Sequence, residues 1–294
     1  MNAGPPSRVA TLLGHAQVEM ALFCLGSLLR CSAEPLTLRI HDDGTLTHED
    51  RGRLAAELAG PEVVPRAAAD GQVGESLAGH PVLLAFRRAN PLALKLLDVP
   101  LLAAGGDLAY CDSDVLFLRP FSGLVRFPDP ETGAVFMSDR QSAYSVRSWH
   151  LLRHRRLALP CRVNTGIILF RTALFDPDLL EWYLSRPEFR FAPVWVEQTA
   201  WALLGATTRC RLWDPNLVRL PRPGEEEPSD AVALHFVNPL RHLLPRFLER
   251  TKDRAGEPPV PVGTVAARRC HFWDLAWTEA RRRLRRGWSS LPWS

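Results

Sequence analysis

The chain has 294 residues, of which 46% are hydrophobic and 23% are charged. These values are ordinary for a globular protein, exclude wholesale disorder and allow one large α/β domain or two small ones. The net charge of +4 is modest, and its excess lies near the C-terminus, so the body lacks the basic stripe of a nucleic-acid binding protein.

The cysteines and the N-terminal sequence indicate the compartment. Six cysteines are scattered without a Cys-x-x-Cys pair, at positions 24, 31, 111, 161, 210 and 270. This spacing fits reduced thiols in a cytoplasm better than a disulfide framework. The first six residues lack the charged start and apolar core of a signal peptide, and the apolar stretch 20–29 is too short to cross a bilayer. We therefore expect a soluble, cytoplasmic protein.

Strand and helix patterns alternate over the first 60 residues, in the order strand 9–13, helix 18–29, strand 36–40 and helix 47–58. Thr47 and Asp50 form a capping-box-like signature at the start of the second helix. This order is typical of a doubly wound α/β sheet, in which ligands lie beyond the carboxyl ends of the strands. Asp42 and Asp43 follow a strand at such an end, where a polar turn and a nucleotide contact are both open.

The next 40 residues contain one clear element. Residues 61–80 are rich in Gly and Ala and are predicted to be irregular. Asn90-Pro91 predicts a helix start, because proline suits the first helical position; the helix carries Lys95 and ends near Pro100. A lysine on a helix commonly lies on a solvated face, but this helix is otherwise apolar, so a phosphate contact is the alternative role for Lys95.

An acidic pair lies between two apolar runs in the segment 108–118. Short apolar runs bounded by turn formers predict buried strands, and carboxylates are costly to hold in a dry core. Asp112 and Asp114 make physical sense at a strand end, at the edge of a cleft and facing a cation. Carboxylate oxygens suit hard ions such as Mg²⁺ or Mn²⁺. A solvated turn is the alternative.

The region after the acidic pair begins with a predicted strand, 134–137. Residues 138–156 mix polar, aromatic and basic side chains without a clear period, which is typical either of a substrate lid or of a plain surface loop. Asn164-Thr165-Gly166 then begins a predicted buried strand, 163–170. A glycine in this position lets the backbone approach a neighbouring group closely.

Two later elements carry candidate catalytic and ligand groups. A mostly buried helix, 195–204, has Glu197 and Gln198 in its first turn, where an acid either interacts with the helix dipole or takes part in catalysis. The alternating strand 232–237 places His235 on the face opposite the larger apolar residues. A lone histidine on a strand is either an ordinary core or surface residue, or a ligand.

The C-terminal region is predicted to be separate from the body. The proline-rich stretch 252–263 is typical of a linker, so we place the main domain at 1–250 and the linker and tail at 251–294. In the tail, tryptophans alternate with arginines. A membrane-surface helix, a surface that stacks on nucleic-acid bases and a final helix packed on the core are all open.

Taken in order, these motifs resemble those of the GT-A glycosyltransferases that use nucleotide-sugars. The closest group is glycosyltransferase family 8, which contains glycogenin and the bacterial lipopolysaccharide galactosyltransferases, and the similarity covers residues 8–245. Asp112-Ser113-Asp114 resembles the family's Asp-x-Asp, and Asn164-Thr165-Gly166 resembles its Asn-x-Gly at a strand start. Glu197-Gln198 is similar to its acid-then-glutamine pair, and His235-Phe236 to its late His-Phe.

The resemblance also covers the basic residues. Lys95 falls where the family carries a basic residue on the helix before the acidic pair, and Arg241 falls where a lysine grips the donor phosphate. The basic, tryptophan-rich tail resembles the membrane-contact tails of the lipopolysaccharide enzymes. A contact with the inner face of a membrane is therefore expected for the tail, and nucleic acid is not an expected partner.

The resemblance implies a GT-A fold, which is a Rossmann-like, mostly parallel mixed sheet flanked by helices. It implies transfer of a hexose from a nucleoside diphosphate sugar, UDP-sugar being expected, to an unidentified glycan, lipid or protein. The implied ligands of a divalent cation, Mn²⁺ or Mg²⁺, are Asp112, Asp114 and His235. The expected donor contacts are Lys95, Asp112, Asn164, Thr165, Gly166, Arg241 and Asp43. Glu197 and Gln198 are the expected catalytic residues.

The sequence departs from the family at three places. Leu13-Gly14-His15 lacks the Asp or Asn that reads the base, and Thr199 stands where the family has a second acid. In place of the family's late motif His-Phe-x-Gly-x-x-Lys, residues 235–241 are His-Phe-Val-Asn-Pro-Leu-Arg. The resemblance implies retention of anomeric configuration; in an inverting enzyme Glu197 would be the general base. An inverting GT-A transferase and a non-enzymatic peripheral membrane or nucleic-acid binding protein are the alternatives.

Overall fold

The computed structural model describes residues 7–103, 106–225, 230–248 and 256–289, and the side chains up to residue 283. The described residues form thirteen strands: β1 Ser7–Leu13, β2 Leu36–Asp42, β3 Glu62–Val64, β4 Asp107–Cys111, β5 Val115–Phe117, β6 Phe121–Ser122, β7 Thr132–Ser138, β8 Val163–Arg171, β9 Arg209–Trp213, β10 Val218–Arg219, β11 Ala233–His235, β12 Val260–Pro261 and β13 Thr264–Ala266.

The same residues form ten α-helices: α1 Val18–Cys31, α2 His48–Glu57, α3 Arg66–Ser76, α4 Pro81–Ala89, α5 Leu92–Leu101, α6 His150–Arg153, α7 Pro177–Leu184, α8 Val196–Gly205, α9 Leu244–Leu248 and α10 Phe272–Ser289. Local sequence explains several of their starts. The Thr47 hydroxyl accepts from the Asp50 amide in a capping box, and the Asp176 side chain accepts from the Leu179 amide at the start of α7.

The central sheet has eight strands in the order β13-β9-β7-β8-β4-β1-β2-β3. Strands β4, β1, β2 and β3 run parallel to one another, as do β7 and β9. Strand β8 is antiparallel to both of its neighbours, and β13 is antiparallel to β9. This is the mixed, mostly parallel α/β sheet that the sequence predicts.

A second, three-stranded sheet has the order β10-β11-β5. In its antiparallel register His235 on β11 is the partner of Val115 on β5. Because Val115 directly follows Asp114, this pairing brings the late histidine to the acidic pair. The second sheet therefore joins parts of the site that are far apart in the sequence.

The core lies on both faces of the central sheet, because successive side chains of each strand point to opposite sides. Tyr110 belongs to the hydrophobic cluster that contains α5 and α8. Ala109 and Cys111 belong to the cluster that contains α1 and α2. A third cluster packs Leu234 and Phe236 of the β11 segment against α9, so His235 faces away from these large apolar residues, as the alternation predicts.

The prediction of irregular structure over residues 61–80 is wrong. The segment contains β3 and α3, and α3 buries only Ala69 and Val73. Two glycines and this narrow apolar stripe hide the helical period from the sequence. Tertiary contacts stabilise the segment instead: Val63 pairs with Ile40 in the sheet, and Arg87 of α4 bonds Asp70 at 2.6 Å.

The region after residue 255 contacts the body. Strand β12 pairs with β6, and β13 forms an edge of the central sheet. Part of the predicted linker, 252–255, and the tail residues Trp288 and Trp293 lie outside the described structure or its described side chains. The boundary at residue 250 remains a prediction. Among the described residues no helix has the length and apolar character that crossing a membrane requires.

Candidate active site

The acidic pair forms the turn between β4 and β5, and the backbone fixes this turn on both sides. The Asp112 amide donates to the Gly166 carbonyl at 2.8 Å, and the Asp114 carbonyl accepts from the Phe236 amide at 2.8 Å. The turn is therefore attached to β8 and to the β11 segment. Asp114 is buried and Asp112 is partly exposed, so the turn presents one carboxylate more openly than the other.

His235 completes a cluster of three possible metal ligands with this pair. Its Nε2 lies 3.0 Å from Asp114 Oδ1 and 3.7 Å from Asp112 Oδ2. One ligand atom from each of the three residues lies within 4.8 Å of the others. Two carboxylates and an imidazole form a donor set that suits divalent ions such as Mn²⁺.

Asn164 fixes the orientation of the imidazole. Its Oδ1 accepts from the Gly166 amide at 3.0 Å and lies 2.8 Å from His235 Nδ1. Since this oxygen accepts, Nδ1 carries the hydrogen, and the lone pair of a neutral imidazole is then on Nε2, facing the carboxylates. The residues present therefore fit a bound cation.

Gly166 leaves the space that the imidazole occupies. A Cβ at this position would lie 2.3 Å from His235 Nδ1 and 2.7 Å from its Cε1. Only a residue without a side chain allows the ring to lie against β8 at this place. The sequence predicts that the backbone at this glycine lies close to a neighbouring group, and that group is the His235 ring.

Lys95 lies beneath Asp112 and is buried. Its Nζ donates to both carboxylate oxygens at 2.9 and 3.0 Å and to Thr165 Oγ1 at 3.2 Å, and it lies 3.6 Å from Glu197 Oε1. Burial lowers the pKa of Lys95, but the nearby Asp112 and Glu197 carboxylates outweigh burial and raise it. The solvated-face alternative is wrong for Lys95, because the apolar helix α5 carries it into the site.

Arg241 contacts the acidic pair from the other side. Its Nε and Nη2 donate to Asp114 Oδ2 at 3.1 and 2.8 Å. Burial raises the pKa of Asp114, but His235 and Arg241 outweigh burial and lower it. Burial lowers the pKa of His235, the neighbouring Asp114 raises it, and the net shift is upward. The Asp114 carboxylate therefore lies between the His235 imidazole and the Arg241 guanidinium.

Glu197 and Gln198 lie in the first turn of α8, but their contacts differ. Glu197 is buried and its Oε2 accepts from Thr165 Oγ1 at 3.2 Å. Burial raises the pKa of Glu197, the nearby Lys95 lowers it, and the net shift is upward. Gln198 Nε2 donates to the Ala143 carbonyl at 2.7 Å, so this amide holds the loop after β7 next to the site.

In the described part of the chain, the Asp43 carboxylate bonds Thr45 and not the acidic cluster. Its Oδ1 accepts from the Thr45 amide at 2.9 Å. The carboxylate fills the space beside Gly14, where a Cβ would lie 2.1 Å from Asp43 Oδ2. Both residues follow strands at the carboxyl edge of the sheet, where β1 and β2 end.

Two supporting residues were not predicted as part of the site. Tyr110 donates from its hydroxyl to Asp112 Oδ1 at 2.7 Å. The Asn164 amide donates to Asp139 Oδ2 at 3.4 Å, and burial raises the pKa of Asp139. A signal existed for each: Tyr110 lies on the same strand face as Asp112, and Asp139 directly follows the buried strand β7.

The fold is that of the GT-A glycosyltransferases. No protein-family model and no curated protein sequence matches the chain. Mouse xyloside xylosyltransferase 1 in its apo form has a similar structure, with a TM-score of 0.55 and 13% sequence identity over 81% of this chain and 99% of that chain. At this identity the likeness shows the fold alone.

Two other glycosyltransferase structures have lower similarity. The galactosyltransferase LgtC, solved with donor and acceptor sugar analogues, has a TM-score of 0.47 and 15% identity, covering 85% of this chain and 97% of that one. Core-mannan synthase A from Aspergillus fumigatus, in a form with Mn and GDP, has a TM-score of 0.43 and 12% identity, covering 69% and 70%.

Proposed function

We propose that the chain is a metal-dependent glycosyltransferase that transfers a hexose from a nucleoside diphosphate sugar, expected to be a UDP-sugar, to an acceptor with retention. The observation that carries this proposal is the cluster of Asp112, Asp114 and His235 at the carboxyl edge of a GT-A sheet. Three ligand atoms within 4.8 Å of one another, with the imidazole oriented by Asn164, are a suitable site for a divalent cation.

We infer the identity of the cation from the chemistry of its possible ligands. An imidazole ligand disfavours Ca²⁺, which prefers oxygen, and favours Mn²⁺, with Mg²⁺ as the second candidate. When bound, the cation would supply Lewis-acid stabilisation of the charge that develops on the leaving diphosphate. Asp112, Asp114 and His235 are the residues that would hold it.

Lys95 and Arg241 are proposed to stabilise the donor's diphosphate. They contact opposite members of the acidic pair, Lys95 at Asp112 and Arg241 at Asp114. The site therefore offers an ammonium group and a guanidinium group beside the carboxylates. Positive groups placed before the reaction stabilise developing negative charge without reorganisation.

Glu197 and Gln198 are proposed to be the catalytic residues next to the transferred sugar. Thr165 connects Glu197 to Lys95, since its Oγ1 lies 3.2 Å from both Nζ of Lys95 and Oε2 of Glu197. Asn164, Thr165 and Gly166 are proposed to line the sugar site on β8. Asp43, at the ends of β1 and β2, is proposed to contact the nucleoside.

The C-terminal helix is proposed to contact an anionic membrane surface. Trp273 and Trp277 of α10 are 78% and 62% exposed, and the Arg281 guanidinium lies 5.0 Å from the Trp277 ring centre. Exposed tryptophans beside arginines suit the interface between headgroups and acyl chains. A lipid-linked or membrane-embedded acceptor would then be within reach, although glycan and protein acceptors are equally consistent with the chemistry.

The experiment is a thermal-shift screen of nucleoside diphosphates with and without Mn²⁺, followed by hydrolysis of the matching nucleotide-sugar. We expect one nucleotide to raise the melting temperature only with the metal, by mass action. Asp114→Asn should abolish both the shift and the hydrolysis, whereas Asp107→Asn, an exposed acid on β4, should keep both. Hydrolysis that persists in excess chelator would overturn the metal assignment.

A further inference from the structure

A second cluster of reactive side chains lies outside the proposed active site. It joins the segment before β8 to the segment before α10, which are linked by an isolated antiparallel bridge between Pro160 and Arg269. The Cys161 amide donates to the Arg268 carbonyl at 2.6 Å, and the Cys270 amide donates to the Leu159 carbonyl at 2.7 Å. This register places Cys161 diagonally across from Cys270 on one face. Their sulfur atoms lie within 4.8 Å of each other.

Two polar side chains surround the sulfur of Cys161. Arg268 Nη2 donates to Cys161 Sγ at 3.1 Å, and Ser142 Oγ lies 3.2 Å from the same sulfur. Asp274 holds the guanidinium in place, with contacts of 2.7 Å to Nη2 and 2.9 Å to Nη1. A fixed cation and hydroxyl beside a sulfur atom favour the thiolate over the thiol.

The same contacts disfavour a metal ion at this cluster. Cys161, Cys270 and Asp274 have ligand atoms close enough for one, but Arg268 binds both oxygens of Asp274, and the His271 amide donates to one of them at 2.8 Å. Arg268 Nη2 contacts both Asp274 Oδ1 and Cys161 Sγ, two of the three possible ligands, whereas Lys95 and Arg241 in the proposed active site each contact only one ligand residue. A positively charged side chain at that place repels a divalent ion.

We propose that Cys161 and Cys270 form an oxidisable dithiol, in which Cys161 reacts with hydrogen peroxide and Cys270 resolves the product to a disulfide. Both residues are only 4% exposed, which favours a small oxidant over a bulky disulfide compound. The Arg268 side chain, which contacts Cys161 Sγ, is itself 58% exposed, so the pair lies close to the surface.

The chemistry balances in two steps. The Cys161 thiolate attacks one peroxide oxygen, the O–O bond breaks and hydroxide leaves, so sulfur is oxidised to a sulfenic acid while peroxide is reduced. The Cys270 sulfur then loses its proton and attacks Cys161 Sγ; an S–S bond forms, the S–O bond breaks and the hydroxyl group leaves as water. In total two thiols and one peroxide give one disulfide and two waters.

The ionisation of the pair supports these roles. A hydrogen bond from the Cys270 thiol is the main cause that lowers the pKa of Cys161 to about 6, burial opposes it, and Ser142 and Arg268 add to the lowering. The same hydrogen bond raises the pKa of Cys270, and burial raises it further. Burial raises the pKa of Cys210 to about 12, which makes this cysteine an internal reference for an unreactive thiol.

The test is site-resolved mass spectrometry of the native, full-length chain after graded hydrogen peroxide in the presence of a chelator. We expect a peptide pair linked through Cys161 and Cys270, with Cys161 consumed at least tenfold faster than Cys210. Cys270→Ser should leave a sulfenic acid on Cys161 that dimedone captures, and Cys161→Ser should leave Cys270 reduced.

A matched pair of arginine variants tests the role of the guanidinium. Arg268→Gln should slow the oxidation of Cys161 at least tenfold at pH 7, while Arg269→Gln, its exposed neighbour, should not. The proposal is overturned if native Cys161 reacts no faster than Cys210. It is also overturned if the purified chain holds one zinc ion per molecule that is lost in Cys161→Ser.

Discussion

At the level of single residues, the site depends on one glycine as much as on its charged groups. Gly166 lies against His235, and any Cβ would overlap the ring. Gly166→Ala should therefore displace the imidazole from Asp114 and weaken Mn²⁺ binding at least tenfold. It should also lower the free energy of unfolding by about 1–3 kcal/mol, the usual cost of overpacking.

The matched control for this change is Gly74→Ala on α3, where nothing lies within 4 Å of the added Cβ. Alanine is the better helix former, so this variant should be unchanged or more stable by about 0.5–1 kcal/mol, with normal Mn²⁺ binding. Isothermal titration with Mn²⁺ and chemical denaturation measure both effects. Normal metal affinity in Gly166→Ala would contradict the placement of His235 as a ligand.

His41 gives a pH-dependent prediction independent of the active site. The side chain is 3% exposed, and neither ring nitrogen has a hydrogen-bond partner in the described part of the chain. Burial and, to a smaller extent, the nearby Arg39 guanidinium together lower the pKa of His41 to about 4. The unfolded chain binds a proton below about pH 6.5 and the folded chain only near pH 4, so stability falls as pH falls through this window.

Between pH 7 and pH 4, protonation of His41 in the unfolded chain should lower the free energy of unfolding by about 3 kcal/mol. His41→Leu should remove that part of the pH dependence, because leucine fills similar space and has no titrating group. Urea denaturation of both proteins from pH 4 to pH 7 measures the difference between the two curves. Parallel curves would show that His41 is protonated in the folded chain or solvated there.

The residues of the site were predictable to different degrees. Asp112, Asp114 and Lys95 lie in or beside buried elements that the sequence pattern locates, and Asn164-Thr165-Gly166 begins a strand that it also locates. The alternation predicts the face on which His235 lies, but not its place beside the acidic pair, which depends on the β5–β11 register and on an Asn164 side chain 71 residues away. Tyr110 lies in the apolar run before the acidic pair, so the pattern predicts only a core residue. Its hydroxyl contact with Asp112 shows its role in the site.

At the level of elements, the start of α2 is a local and testable feature. Thr47 Oγ1 accepts from the Asp50 amide at 3.1 Å, and Asp50 Oδ2 accepts from the Thr47 amide at 2.8 Å. Thr47→Ala should lower the free energy of unfolding by about 1 kcal/mol. Thr47→Ser should leave the free energy of unfolding nearly unchanged, because serine caps equally well. Equal losses in the two variants would show that the methyl group, and not the cap, stabilises the helix.

Elements with strong local signals were predicted well, and those held by tertiary contacts were not. The capping box of α2 is encoded within four consecutive residues, from Thr47 to Asp50. Helix α3 lacks such a signal, since glycines interrupt its narrow apolar stripe. The edge strand β13 has only three residues, too few for a recognisable pattern, and its pairing with β9 is what holds it in the sheet.

At the level of the whole molecule, a truncation tests whether residues beyond 250 belong to the same folding unit as the body. Strand β13 pairs with β9, and Arg211 bonds Thr264 at 2.6 Å. A chain ending at residue 250 should therefore melt at a temperature about 5 °C or more below a chain ending at residue 289. Equal melting temperatures would support the predicted boundary and an independent tail.

The proposed function requires that Asp112, Asp114 and His235 hold one divalent cation. The direct experiment is to count bound Mn²⁺ in the presence of a nucleoside diphosphate. Electron paramagnetic resonance measures the free ion, and the bound ion is the difference from the total. We expect one bound Mn²⁺ per chain in the native protein and in Asp107→Asn, and none in Asp114→Asn at the same concentrations. Equal binding by the native protein and Asp114→Asn would show that Asp114 is not a ligand of the cation.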